Sequence, residues 1–194
     1  MTANSYSQQV IFTPDLVLGH RSVMYKHIIS GQTKNKKYAF NNLSLFDTEY
    51  NDDSKNIFFI RNTVSVKLNN TLSFNSSIGI KNPGAFLTLA FKYTHAKKHL
   101  SYSYSVGTTY QSKFSLEQSL YINYEPPLGS ALHWHFNALA VGNLNNDGYI
   151  RGLQQIKLGV KKQNTMAGVA GNFDQFKNAT STLLNIGLFI KQNF

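Results

Sequence analysis

His133-Trp134-His135 is the one short stretch that sets two metal-capable side chains in step. On a strand, residues i and i+2 share a face, so His133 and His135 could hold Zn or Cu together. A site needs a third and usually a fourth ligand, and His20, His27, His95 and His99 are scattered along the chain. The plainer reading is two polar histidines on one side of a strand. Serine, histidine and acidic residues such as Glu117 and Asp174 leave a Ser–His–acid hydrolytic site open, because such sites are set by geometry and not by spacing. No nucleophile elbow, phosphate loop or HExxH motif is present. Asn145-Asn146-Asp147-Gly148 lacks the acidic ligands of a calcium loop and reads as a turn. With no cysteine, thiolate chemistry and disulfides are out. No cofactor is implied.

Those residues must be positioned by strands, because the apolar residues alternate in run after run and no helical period persists. Between Ile57 and Leu68, Phe58, Ile60, Val64 and Val66 share one face, and Arg61, Thr63, Ser65 and Lys67 the other. Tyr102, Tyr104, Val106 and Tyr110 oppose Ser101, Ser103, Ser105 and Thr109. Ile156, Leu158 and Val160 oppose Gln155, Lys157 and Lys161. The polar faces thus collect Arg61, Lys67, Lys81, Glu117, Arg151, Lys157 and Lys191. The first run, Gln8 to Thr13, is ended by Pro14-Asp15, and the next is Leu16 to Ser30. Asn69-Asn70 reads as a tight turn in the left-handed conformation that Asn tolerates. The runs number twelve, with ten as the alternative, in a single domain over 1–194.

Composition agrees. Charged residues make up 14 % and aromatics 13 %, and mean hydropathy is −0.27. Soluble domains carry about a quarter charged residues. Few charges, many Tyr, Phe, Asn and Ser, and modest hydropathy suit strands with one apolar and one polar face. No stretch approaches the roughly 18 apolar residues of a membrane helix. The net charge is +10, but the basic residues sit in short groups at turns, which does not point to nucleic acid.

The last stretch is LLNIGLFIKQNF. Leu184, Ile186, Leu188, Ile190 and Phe194 fall on one face at period two. An amphipathic strand closed by a terminal aromatic resembles the bacterial outer-membrane β-barrels, in which it is the segment read by the outer-membrane assembly machinery. The Asn-, Lys-, Tyr- and Phe-rich style, with Gln8-Gln9 near the start, is similar to outer-membrane proteins of Bacteroidota-type bacteria. The resemblance implies an all-β, antiparallel up-and-down transmembrane barrel in a Gram-negative outer membrane, in contact with membrane lipids and lipopolysaccharide. Ser5-Tyr6-Ser7 resembles the end of a signal-peptide cleavage site, so 1–7 is a signal remnant or a tail.

If the chain ends on the periplasmic side, the turns at Lys34 to Lys37, Lys97-Lys98 and Lys161-Lys162 share that rim, and Asp52-Asp53 and Asn145 to Gly148 the other. A basic rim would meet an anionic envelope protein, cell-wall polymer or lipid headgroup. Short connections favour a structural or scaffolding subunit of an envelope complex over an enzyme. The alternatives are a small anion-selective pore or uptake barrel, a lipid-modifying enzyme, and a soluble lipocalin-like barrel with its apolar faces turned inward.

Overall fold

Alternation decides the architecture, because it gives every strand one face that water tolerates and one that it does not. In the computed structural model, which describes residues 10–177 and 182–194, twelve strands form a closed barrel. They are β1 (Val10–Gly19), β2 (Ser22–Gln32), β3 (Tyr38–Glu49), β4 (Ile57–Lys67), β5 (Leu72–Lys81), β6 (Gly84–Lys97), β7 (Leu100–Gln111), β8 (Lys113–Tyr124), β9 (Leu132–Asn145), β10 (Gly148–Lys162), β11 (Thr165–Phe176) and β12 (Leu183–Gln192). Each is antiparallel to the next, and β1 closes on β12. Ser5-Tyr6-Ser7, Gln8-Gln9 and Asn178-Ala179 lie outside the described residues.

The apolar faces point outward. Ile78 is 61 % exposed and Leu188 65 %, whereas the charged pair Asp15 and Lys157 is 3 % and 2 % exposed. This overturns the soluble, inward-apolar barrel. It also sets the register firmly, since a slip by one residue would place Arg61 or Lys157 against lipid, at about 2–4 kcal/mol each near the bilayer centre. Tyr104 and Tyr110 face out, and Ser103 and Thr109 are buried inside.

Twelve strands, not ten, are present among the described residues, but two boundaries differ from the sequence expectation. Pro14 does not end the first run; it sits inside β1 opposite His27. Phe12 sends its N–H to Phe194 on the β12 side, and alternate residues point the same way, so the donor that Pro14 lacks would also point there. The β1–β12 ladder has by then lapsed, running only from Asp15↔Lys191 to Gly19↔Gly187, and a proline is tolerated at such a gap. The long run from Leu16 to Ser30 is divided at His20-Arg21, where the chain turns into β2. The turn at Asn69-Asn70 forms, though by a different device. Its residues do not take positive φ. The Asn69 carboxamide oxygen instead accepts from the N–H groups of Thr71 and Leu72, each at 2.9 Å.

The short β1–β12 seam is fastened by a polar staple. Asn185, fully buried on β12, accepts through Oδ1 from the N–H groups of Arg21 at 3.1 Å and Ser22 at 3.3 Å. Its Nδ2 donates to the Ser22 hydroxyl at 2.8 Å and carbonyl at 3.2 Å. Beside it Gly187 is required by close approach, because a Cβ there would run into the Leu18 carbonyl and Gly19. Gly187→Val is therefore expected to open the seam and abolish most of the compact, heat-sensitive band of unboiled samples on an SDS gel. The outward Leu188→Val is expected to leave that band unchanged.

Candidate functional site: the charged lumen

The lumen is layered along the barrel axis. Its two ends are the Phe194 end and the opposite, far end. Toward the far end lies a cavity of about 200 Å³, reached by Arg21, Asp47, Lys81 and Arg151 from strand ends and by Arg61 and Glu117 from deeper positions. Five cations line it against three carboxylates: Arg21, Lys26, Arg61, Lys81 and Arg151 against Asp47, Glu117 and Asp174. The arginines are held in place by acids on neighbouring or facing strands. Arg61 spans the lumen to both oxygens of Glu117, at 2.8 and 3.0 Å, and its guanidinium lies 5.0 and 5.2 Å from the ring centroids of Phe59 and Phe86, which stack on each other. Arg151 pairs with Asp174 on β11, and Arg21 with Asp47 and Glu49 on β3. Planar, paired guanidinium groups are rigid donors.

The middle layer is packed. Asp15 receives Lys157 on one oxygen and Lys26 on the other at 3.3 Å. Lys191, opposite Asp15 in the ladder, adds a third ammonium to this side. The aliphatic stem and ammonium of Lys157 lie against Phe189, beside Val17, Met24, Met166 and Ala170. Large side chains of this layer come from β1, β2 and β10–β12. The facing wall of β5–β8 carries small hydroxyls, including Ser77, Thr88, Ser103 and Thr109, together with the inward Lys92 and Tyr121.

At the Phe194 end, Glu125 follows β8 and clamps two strands. It accepts from Lys161 at 2.6 Å and bonds His135 Nδ1 at 2.9 Å. The His135 bond, followed by Lys161, holds the Glu125 carboxyl down to a pKa of about 2.

The polar-face candidates are distributed across these layers. Arg61, Lys81, Glu117 and Arg151 reach the cavity, and Arg61 and Glu117 meet. Lys157 lies in the middle layer with Lys191 beside it, and Lys67 is an exposed strand end at the Phe194 rim. His133 and His135 do share a face, but His135 is buried against Glu125 and Phe189. Among the described residues no group of three potential ligands surrounds them. The acids Glu117 and Asp174 are committed to arginines and not to a Ser–His pair. Sequence reasoning missed Asp15, because the first run was ended at Pro14-Asp15, and it missed Arg21 and Lys26, because the turn at His20-Arg21 was read as part of one long run. The inward parity flips at that turn, from Asp15 and Val17 on β1 to Met24 and Lys26 on β2.

No protein-family model matches the chain, and no curated protein sequence matches it. Among solved structures it is similar to the NanC porin, at 10 % identity and a TM-score of 0.61, over 96 % of this chain and 99 % of that one. It is similar to the KdgM porin, at 10 % identity and a TM-score of 0.61, over 95 % of this chain and 99 % of that one. A second KdgM porin structure, in complex with disordered oligogalacturonate, matches at 10 % identity with a TM-score of 0.60, over 95 % of this chain and 99 % of that one. At such identity the likeness is one of fold. With the outward apolar face, it makes the chain a β-barrel of the Gram-negative outer membrane.

Two outcomes follow for the lumen. Asp15→Asn leaves Lys157 and Lys26 without their carboxylate and is expected to cost about 3–5 kcal/mol in urea-induced unfolding from vesicles, with Asp15→Leu/Lys157→Met costing less. Glu125 has a depressed pKa, so its clamp stabilises the barrel above the ordinary glutamate value of 4.5 and is lost as pH falls through about 2. In stability measured from pH 6 to pH 2, Glu125→Gln is expected to remove the part of the decline that arises between those two values.

Proposed function

We propose that the chain is a small outer-membrane pore that favours anionic solutes. The observation that carries this reading is the set of inward lysines that form no ion pair with a described residue. The cavity's charges are preorganised by ion pairs, whose acids include Asp15 and Glu49 beyond its lining. Lys81, one of its five cations, lies over Phe86 and forms no such pair. Lys92 and Lys191, also turned inward, are likewise without an ion pair among the described residues. A lumen of one predominant sign raises the local concentration of the opposite ion and excludes its own.

The proposed route passes the packed middle layer along the β5–β8 wall, where hydroxyls and the Lys92 ammonium offer hydrogen bonds to an anionic solute shedding water. Two features support a pore over the scaffolding role that short connections suggested. Both NanC and KdgM are porins, and one KdgM structure holds an acidic sugar chain. This barrel is also wider than the eight-stranded kind whose interior side chains alone fill. In the same reading the Phe194 end is periplasmic. Leu184, Ile186, Leu188, Ile190 and Phe194 then serve the assembly machinery, and the rim lysines face anionic headgroups.

The test is reversal potential in planar bilayers under a KCl gradient. Anion preference is expected for the wild-type chain. Lys81→Glu with Lys92→Glu is expected to lower the anion-to-cation permeability ratio at least about fivefold, which corresponds to one kcal/mol of Coulomb energy at close range in water. A cation-selective wild-type channel, or a barrel that never conducts, would sink the reading.

A further inference from the structure

The outer wall is not apolar throughout. On β2 to β5 the side chains of outward parity at mid-strand are His27, Asn42, Ser44, Asn62 and Ser76, of which Ser44 is covered by its neighbours and only 6 % exposed. Their outward direction follows from parity, since Met24 and Lys26 on β2, and Leu43, Leu45, Phe59 and Arg61 on β3 and β4, line the lumen cavity. On β5, Ser77 is buried within while Ile78 is exposed. Each polar residue is flanked along its own strand by outward apolar residues, such as Phe40 and Phe46 on β3 and Val64 on β4. A tilted strand of about ten residues crosses the hydrocarbon, so its middle lies near the bilayer midplane. The five residues thus form a continuous polar band at the depth where lipid offers no hydrogen bond.

The band is only partly satisfied from within. Asn42 Nδ2 donates to Asn62 Oδ1 at 2.9 Å, and the Ser44 hydroxyl donates to Asn42 Oδ1 at 3.2 Å. His27 is packed by Phe12 and Tyr25, and its unpaired Nδ1 is buried beneath them, so the groups open to a second copy are those of Asn42, Asn62 and Ser76. Elsewhere at this depth the wall differs. β6 presents Leu89 and Phe91, and β12 presents Ile186 and Leu188. Gln118 and Gln154 also face outward, but Ala140 separates them, and Gln118 is bonded by Tyr104 at 2.6 Å.

We propose that the β2–β5 wall is an interface within the membrane, and that its occupant is a second copy of this chain. The argument is one of symmetry. A two-fold axis along the membrane normal preserves depth, so it brings a mid-depth band onto its own copy. Carboxamides and hydroxyls each donate and accept, so such a band complements itself. Hydrogen-bonding side chains and small residues are what associate proteins in lipid, where apolar surface gains nothing by meeting. A contact through β2–β5 closes as a dimer and leaves each lumen intact.

The chain has no cysteine, so single cysteines report the contact directly. Asn62→Cys, Ser76→Cys and the far-wall Leu188→Cys are each reconstituted in phospholipid vesicles and treated with copper phenanthroline and oxygen, which partition into the bilayer and oxidise two apposed thiols to a disulfide. Cross-linked dimer is expected from the first two and not from Leu188→Cys. In addition, Asn42→Leu/Asn62→Leu is expected to raise the dimer dissociation constant about tenfold. Its folding is checked by heat-sensitive gel mobility; if it does not fold, the cysteine result decides alone. No cross-link from Asn62→Cys or Ser76→Cys, equal cross-linking from Leu188→Cys, or a leucine variant as dimeric as wild type would overturn the proposal.

Discussion

A backbone that crosses hydrocarbon must satisfy every N–H and C=O within the protein. The rest of this structure depends on that constraint. It is met by a ladder that runs from β1 round to β12 and closes. Closure is most exposed at the β1–β12 seam, where the ladder is short and Pro14 withholds a donor. The seam is reinforced at both ends. Asn185 ties β12 to the β1–β2 turn, and Phe12 and Phe194 exchange backbone bonds beyond the ladder's end, their rings stacked at 6.1 Å. Gly187 permits the close approach between.

Once the apolar faces are committed to lipid, the charges have nowhere to go but inward. The interior then solves a second problem, that of keeping many cations in a confined space. Acids are distributed so that each arginine is held, and Asp15 serves two lysines at once. Lys81 at the far end, and Lys92 and Lys191 nearer the Phe194 end, remain without an ion pair among the described residues, and this links the folding constraint to the proposed traffic in anions. The packing of Val17, Met24, Met166 and Phe189 narrows one side of the lumen, opposite the β5–β8 wall with its hydroxyls, Lys92 and Tyr121.

Period-two alternation made most of the fold legible beforehand. Tyr102 to Tyr110 against Ser101 to Thr109 reads as two faces without any structure, and Arg61, Lys81, Glu117, Arg151, Lys157 and Lys191 follow from parity. What alternation does not carry is which strands face each other across the lumen, so the Arg61–Glu117 bond between β4 and β8 was not foreseeable. Nor does it say which face meets lipid; closure and exposure decide that. A local signal misled where tertiary context overrode it. Pro14 looked like a strand end, yet it lies where the ladder has a gap. His133 and His135 share a face as their spacing requires, and what the spacing did not carry is that Glu125 holds His135. The polar band at His27, Asn42 and Asn62 was hidden because neighbouring apolar residues keep each strand's alternation intact.

The central claim is that the apolar face is the outer face of a barrel that closes in lipid. Refolding from urea, with and without phospholipid vesicles, tests it most directly, followed by circular dichroism and by gel mobility of boiled and unboiled samples. The account predicts a β-sheet spectrum and a compact, heat-sensitive band with vesicles only. A folded, soluble monomer in plain buffer would contradict it.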